Sequence, residues 1–388
     1  MKKKLLILTG SRSEYGILEP LIFKLKKSKL YKVEIAVFSA HLSKIYGNTV
    51  NDINFNKKIL HKIKTHKNIN LSKITDINSS LIEGFIKFNK FFKKKKFDLV
   101  IVLGDRYEML PPVILSFFLR IPIAHIHGGE KTTGSTDDVV RHVITKFSNY
   151  HFVSTEEYRN RVIQLGENPK NIFKIGSLSC EKIKSLNFLN KKKIEQRLNV
   201  EFGNKNYLIT FHTEINFLNE RFFLNKLFKN LLKDKNTKLF VTYPNSDPGS
   251  HRIIEIIEKF SKKNKNNFYA FKSLGSKLYF SLMKNIDVVI GNSSSGIIET
   301  PYLKAPTINV GKRQNGRIMS ANIINCNYEY SEINSGIKKI SSKKFRKILK
   351  RTKPGYGYIK SSEKILNVLK KINLSKKIKI KEFYDIKK

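Results

Sequence analysis

Residues 97–130 read FDLVIVLGDRYEMLPPVILSFFLRIPIAHIHGGE. Two short apolar runs, Phe97–Leu103 and Pro122–Ile126, each lead into a glycine-bearing loop, and a helical stretch near Tyr107–Leu119 joins them. A strand that is apolar at nearly every position is buried on both faces, as in a parallel sheet covered by helices. Two such strands joined through a helix form a β-α-β crossover. The pattern extends in both directions. Upstream, Lys4–Leu8 reads as a strand, Tyr15–Lys27 as a helix and Val33–Phe38 as a strand; downstream, Val139–Phe147 and Thr155–Leu165 read as helices on either side of a short strand at His151–Ser154. A polar break at Asn187–Asn206, containing Lys191, Lys192 and Lys193, precedes a second series. There, strands at Tyr207–Phe211, Leu239–Thr242, Phe268–Phe271, Val288–Ile290 and Thr307–Val310 alternate with helices near Leu218–Leu232, Ser250–Lys262, Lys277–Lys284 and Gly296–Leu303. The expected class is α/β: two doubly wound, Rossmann-like domains, 1–186 and 187–360, followed by an amphipathic helix at Ser361–Lys371 and a tail, together 361–388. Such sheets bind ligands beyond the carboxyl ends of their strands, so the active site is expected in the cleft between the domains.

Length agrees with two domains, since 388 residues is about twice an ordinary domain. The 75 Lys+Arg against 31 Asp+Glu give a net charge of +44. Only 13 of the 75 are arginine, the residue suited to bidentate phosphate and base contacts, and the lysines are spread along the chain among Asn and Ile. That is the skew an AT-rich coding sequence produces, and no nucleic-acid partner is expected. The longest apolar run, Leu110–Leu119, contains two prolines and falls far short of a membrane span. Lys2–Lys4 followed by Leu5–Leu8 is too short for a signal-peptide core. Cys180 and Cys326 fit neither a disulfide framework nor a zinc motif. A cytoplasmic chain without stable membrane insertion is expected.

The chemistry-bearing residues sit where strands end. Thr9–Gly16 is a tight loop opening a helix, where free N–H groups can meet an anion and Arg12 can clamp a phosphate; a solvated turn is the plainer reading. The Gly-x-Gly-x-x-Gly spacing is absent, so no NAD site is read here. After Leu103-Gly104, Asp105 either presents a catalytic carboxylate or caps the next helix. In His125–Glu130, alternation puts His125 and His127 on one side of the strand, the paired glycines leave room for a ligand to approach the backbone, and Glu130 adds a carboxylate; the spacing offers no convincing further ligand for a metal. Thr136–His142 starts a helix with Asp137 and Asp138 in its first turn. Asp105, His127, Glu130, Asp137 and Asp138 can thus ring one pocket as acids and bases. In the second half, Ile290–Glu299 is a strand, a loop holding Ser293, Ser294, Ser295 and Gly296, and a helix bearing Glu299. It suits a diphosphate and a ribose but lacks the Gly-Lys-Ser/Thr of an ATP-hydrolysing loop. His212 ends a strand, and Arg313 lies in the basic loop Gly311–Arg317.

Taken in order, GSRSEYG (10–16), YGNT (46–49), LGDRYE (103–108), HIHGGEKT (125–132), STEEYRNRVIQLGENP (154–169), IGSLSCE (175–181), GNSSSGIIETP (291–301), TINVGKRQNGR (307–317) and KEFYDI (381–386) resemble the hydrolysing UDP-N-acetylglucosamine 2-epimerases of bacterial sialic-acid capsule pathways over nearly the whole chain. The resemblance implies a glycosyltransferase-B-like fold and the reaction UDP-GlcNAc + water → ManNAc + UDP, through anti-elimination to 2-acetamidoglucal and addition of water. It implies no metal and no other cofactor, and a homodimer or higher homo-oligomer. Carried onto this chain, Arg12, His212 and Ser293–Ser295 would stabilise the departing diphosphate. Glu299 would hold the ribose, Arg313 would contact the nucleotide, and Asp105, His127, Glu130 and Asp137 would handle protons; the choice between Asp137 and Asp138 stays open. Two other activities fit the residues: the same reaction on UDP-2,4-diacetamido-trideoxyglucose or a GDP-linked hexosamine on the way to legionaminic acid, and a glycosyltransferase of the same fold.

Overall fold

A computed structural model describes residues 2–53, 55–66, 74–214, 217, 219–357, 360–374 and 381–386. The described residues form two compact units: 1–130, 136–184 and 356–388 in the first, and 131–135 with 185–355 in the second. Each unit is one parallel sheet with helices along it.

The first sheet has the order β3-β2-β1-β4-β5-β6-β7. Its strands are β1 (Lys3–Thr9), β2 (Tyr31–Phe38), β3 (Leu60–Ile63), β4 (Leu99–Leu103), β5 (Ile123–Ile126), β6 (Tyr150–Val153) and β7 (Ile172–Lys174). Its helices are α1 (Arg12–Lys27), α2 (Ile74–Lys94), α3 (Leu110–Phe118), α4 (Asp137–Phe147), α5 (Glu156–Gln164) and α6 (Leu178–Ser185). Strand alternation sends Leu5 and Ile7 into one core with Leu18, Leu21, Leu99 and Ile101, and Leu6 and Leu8 into another with Phe88, Phe92, Val100 and Val102. Both faces of the central strands are therefore buried, and that is why they read as unbroken apolar runs.

The second sheet has the order β10-β9-β8-β11-β12-β13. Helix α7 (Lys191–Leu198) precedes strands β8 (Lys205–Thr210), β9 (Thr237–Thr242), β10 (Phe268–Phe271), β11 (Val288–Gly291), β12 (Thr307–Val310) and β13 (Ile323–Cys326). Helices α8 (Glu220–Leu231), α9 (Ser250–Lys263), α10 (Gly275–Asn285), α11 (Ser295–Ile298), α12 (Thr300–Leu303), α13 (Tyr330–Ile340) and α14 (Lys343–Arg351) complete the unit.

The differences from the sequence expectation have local causes. The break at 187–206 holds α7, whose Asn190 cap accepts the Lys193 N–H at 3.0 Å; its lysines are exposed and Ile194 is its one buried side chain. The helix expected over Gly296–Leu303 is two four-residue pieces, with Pro301, which has no N–H to donate, at the start of the second. Leu218, expected to open a helix, lies outside the described residues. Helix α15 (Ser361–Lys371) returns to the first unit: Ile365 and Leu369 enter the Leu5/Ile7 core, and Ser361 Oγ donates to the Ile175 carbonyl at 2.9 Å.

Candidate active site

In the first unit, α1 is entered through a capping box: Glu14 Oε2 accepts the N–H groups of Gly10 and Ser11 at 2.8 and 2.9 Å. Burial, with the carboxylate of Glu108 nearby, pushes Glu14 up to about 8. Arg12 is tied to Asp52 at 3.2 Å.

Beyond β4, Asp105 pairs closely with Arg141 of α4. The adjoining 3-10 turn, Tyr107–Met109, takes Arg106 as its cap residue and has no side-chain cap, so Asp105 does not serve there. Arg141 is 1% exposed. Besides Asp105 it reaches Asp138 Oδ1 at 3.2 Å and donates to the Glu130 carbonyl at 2.8 Å. Asp138 is thereby drawn beside Asp105. Arg141 is not among the residues expected from the sequence, although its spacing of three from Asp138 on a helix is a pairing signal.

Strand β5 ends at Ile126, and His127 turns left-handed, φ +66°, so the strict alternation expected of His125 and His127 stops there. His127 Nδ1 meets Glu130 Oε1 at 3.0 Å, and both residues are buried. The Nε2 atom of His127 has no hydrogen-bond partner among the described residues. His125 has a structural role instead. Burial lowers it to about 3, so the ring is neutral. Its Nε2 lies 2.7 Å from the Gly104 carbonyl and must carry the proton, while Nδ1 lies 3.1 Å from Thr145 Oγ1, whose hydroxyl donates to the Arg141 carbonyl at 3.0 Å. The glycines of this loop pack against the protein itself. A Cβ on Gly128 would stand 2.9 Å from His125 Nδ1, and one on Gly129 2.4 Å from the Tyr158 carbonyl. They therefore serve close packing rather than a ligand's approach.

In the second unit, Asn292 docks onto His212 like a strand neighbour. Its Oδ1 accepts the His212 N–H at 2.7 Å and its Nδ2 donates to the His212 carbonyl at 2.9 Å. His212 Nδ1 accepts the Asn245 N–H at 3.1 Å, leaving the proton of the neutral ring on Nε2. Asp247 Oδ2 lies 3.8 Å from His212 Nδ1 and 3.5 Å from Arg313 Nη2. The loop holding Arg313 is fastened down: Glu214 Oε2 accepts the N–H groups of Lys312 and Arg313 at 3.1 Å, and Gln314 Nε2 donates to the Asn292 carbonyl at 2.8 Å.

The serine loop begins at Gly291, φ +145°, where a Cβ would lie 1.9 Å from the Thr210 carbonyl, so only glycine fits. Ser293 Oγ and Ser295 Oγ are 3.2 Å apart, and Tyr279 Oη is 2.6 Å from Ser295 Oγ. Burial pushes Tyr279 up to about 12, so its hydroxyl keeps its proton. Ser294 opens α11 without a side-chain cap, Gly296 packs on Thr307, and Glu299, buried, joins α11 to α12. Among the described residues no three His, Cys, Asp or Glu side chains group as metal ligands, and no helix is long and apolar enough to cross a membrane.

Chemically, the first unit offers carboxylates oriented by a buried guanidinium and a histidine–glutamate pair, which suit proton transfer. The second offers a cation, an imidazole N–H and clustered hydroxyls, which suit an anionic leaving group. Comparison with known proteins points the same way. The sequence pattern described as UDP-N-acetylglucosamine 2-epimerase matches residues 24–370. The chain is 40% identical to a GDP/UDP-N,N'-diacetylbacillosamine 2-epimerase (hydrolyzing) of Campylobacter jejuni, over 89% of each chain. It is 37% identical to the polysialic acid biosynthesis protein P7 of Escherichia coli, over 99% of this chain and 98% of that one. It is 31% identical to a UDP-N,N'-diacetylbacillosamine 2-epimerase (hydrolyzing) of Legionella pneumophila, over 97% and 98%. In fold it matches the UDP-GlcNAc 2-epimerase of Neisseria meningitidis solved with UDP-GlcNAc, with a TM-score of 0.79 at 17% identity over 95% of this chain and 100% of that one.

Proposed function

The chain belongs to the UDP-N-acetylglucosamine 2-epimerase family, and from that premise we propose that it is a hydrolysing 2-epimerase that takes UDP-GlcNAc and water to ManNAc and UDP. The observation that carries this reading is the pairing, at the ends of the neighbouring strands β4 and β5, of the Asp105–Arg141–Asp138 group with the buried His127–Glu130 pair. The reaction needs protons moved on both faces of C2, hence two proton-handling groups. A base takes the C2 proton, and the C–H electron pair becomes the C1=C2 double bond as the C1–O bond breaks and UDP departs with that bond's electrons. Water then adds at C1, and C2 is reprotonated on the opposite face.

In the proposed division of roles, Asp105 and Asp138, aligned by Arg141, work on one side and His127–Glu130 on the other, with Asp137 beside them. His212, through its Nε2–H, supports the leaving diphosphate with Arg12, Arg313, Ser293, Ser294, Ser295 and the Gly296 amide, and Glu299 holds the ribose. Donors placed where charge develops lower the barrier most. A second reading, the same reaction on a UDP- or GDP-linked 2,4-diacetamido-trideoxyglucose, is favoured by the relatives at 40% and 31% identity, which are N,N'-diacetylbacillosamine 2-epimerases. Supplying each nucleotide sugar separately and measuring nucleotide release decides between them: the sugar with the highest kcat/KM is the substrate, and release from none of them rejects both readings.

The homo-oligomer implied by the resemblance has a candidate face. Ile82 and Ile86 on α2, Phe118 and Leu119 at the end of α3, and Val139 on α4 are exposed on successive packed helices. We propose that a second copy covers them. Sedimentation should give a dimer or larger that Phe118→Asp weakens; a monomer at all concentrations contradicts this.

A further inference from the structure

The KEFYDI segment takes no part in the chemistry above, yet it is fastened to the helix that carries it. Lys381 Nζ stands at the C-terminal end of α4, 3.2 Å from the Thr145 carbonyl, 2.7 Å from that of Lys146 and 2.6 Å from that of Ser148. The last carbonyls of a helix have no partner within it, and the negative end of its dipole favours a cation. A fourth oxygen, Glu167 Oε2, lies 2.6 Å away. Glu167 is 2% exposed and also meets Lys146 at 2.8 Å and His151 at 2.9 Å, so Lys381 pairs with a buried, shared carboxylate rather than with a solvated one. Two more fastenings follow along the tail. The Tyr384 N–H donates to the Gly166 carbonyl at 2.9 Å, and the Phe383 ring covers Gly166 so closely that a Cβ there would stand 2.2 Å from it.

What the tail holds is connected to the acids. Thr145, whose carbonyl faces Lys381, contacts His125 Nδ1 through its hydroxyl; His125 Nε2–H holds the carbonyl of Gly104, and the next residue is Asp105. The same helix carries Asp138 and Arg141 nearer its N-terminus.

We propose that residues 381–386 are a strap and that Lys381 is a positioning residue: by anchoring the C-terminal end of α4 it fixes Arg141, Asp138 and, through Thr145 and His125, Asp105 in their reacting geometry. This rests on the reading of those acids as proton-handling groups.

The test compares wild type, Lys381→Met, Lys381→Arg and Phe383→Ala, each as the full chain. Turnover of the preferred nucleotide sugar, UDP affinity by calorimetry and amide hydrogen exchange of residues 137–147 are measured. For Lys381→Met, kcat should fall tenfold or more with UDP affinity and KM changed less than twofold, and α4 should exchange faster. Lys381→Arg should recover most of the lost turnover, because it restores a cation to the same carbonyls. Phe383→Ala should give a smaller fall of the same kind and keeps the question open to measurement if Lys381→Met does not fold. Faster exchange with unchanged kcat would make the tail a stabiliser only and overturn the proposal, as would a loss spread equally over kcat and UDP affinity. Should wild type turn over no nucleotide sugar, the reading of the reaction fails, whereas unchanged α4 exchange in the variants refutes the strap itself.

Discussion

Asp105→Asn is expected to cut turnover by about 10²–10⁴-fold, the usual worth of a positioned acid or base, while leaving UDP affinity close to wild type. The substitution keeps the shape and one acceptor oxygen, so the amide can still take a hydrogen bond from Arg141 and the fold should persist. What it loses is the ability to accept a proton from carbon. The prediction is sharp because the alternative duty, capping the next turn, is already taken away: that turn starts at Arg106 and has no side-chain cap. Steady-state kinetics with calorimetric UDP binding checks it. Near wild-type turnover would leave Asp105 as no more than a counter-ion of Arg141, and the proton-handling role would move to His127–Glu130.

Arg141→Met should act on stability as well as activity. Arg141 is among the largest fully buried side chains described, and it faces two carboxylates and a backbone carbonyl. Removing one partner of a buried ion pair costs about 3–5 kcal/mol, because the remaining charge is left without compensation. Asp105 and Asp138 are each about one-fifth exposed, so water softens the loss, and ~3 kcal/mol is expected. Turnover should fall below that of Asp105→Asn, since both aspartates lose their alignment at once. Arg141→Lys should keep much of the stability but not the activity, as an ammonium cannot fork toward two carboxylates in fixed directions. Denaturant unfolding with parallel kinetics reads both effects. A Met variant as stable and active as wild type would show that the guanidinium orients nothing of consequence.

The sequence carried the central architecture well because its signal is strong there. Leu5–Leu8 of β1, together with β4 and β11, are buried on both sides, so they read as apolar runs and the loops after them stand out by contrast. Elements at the margins gave weaker signals. β3, β7 and β13 are short and partly exposed, α2 is broken up by lysine and asparagine, and α7 buries only Ile194. Such segments resemble loops when burial supplies no periodicity. For the candidate site, strand-end position singles out Asp105, His127 and Glu130. The partners of those residues were hidden, because they depend on what folding brings near. Nothing local marks Arg141 as buried, His127 as left-handed or His125 as the holder of the Gly104 carbonyl. The lysine excess is a poor guide in general, yet one lysine, Lys381, is partly buried and sits on four oxygens.

The central claim is that a proton leaves and returns at sugar C2 as the nucleotide departs. Turnover of UDP-GlcNAc, or of whichever nucleotide sugar the protein prefers, in deuterated water followed by NMR tests this directly. The free nucleoside diphosphate should accumulate together with the C2-inverted sugar, for UDP-GlcNAc UDP and ManNAc, carrying deuterium at C2. Release of UDP with hydrogen retained at C2 would contradict the account.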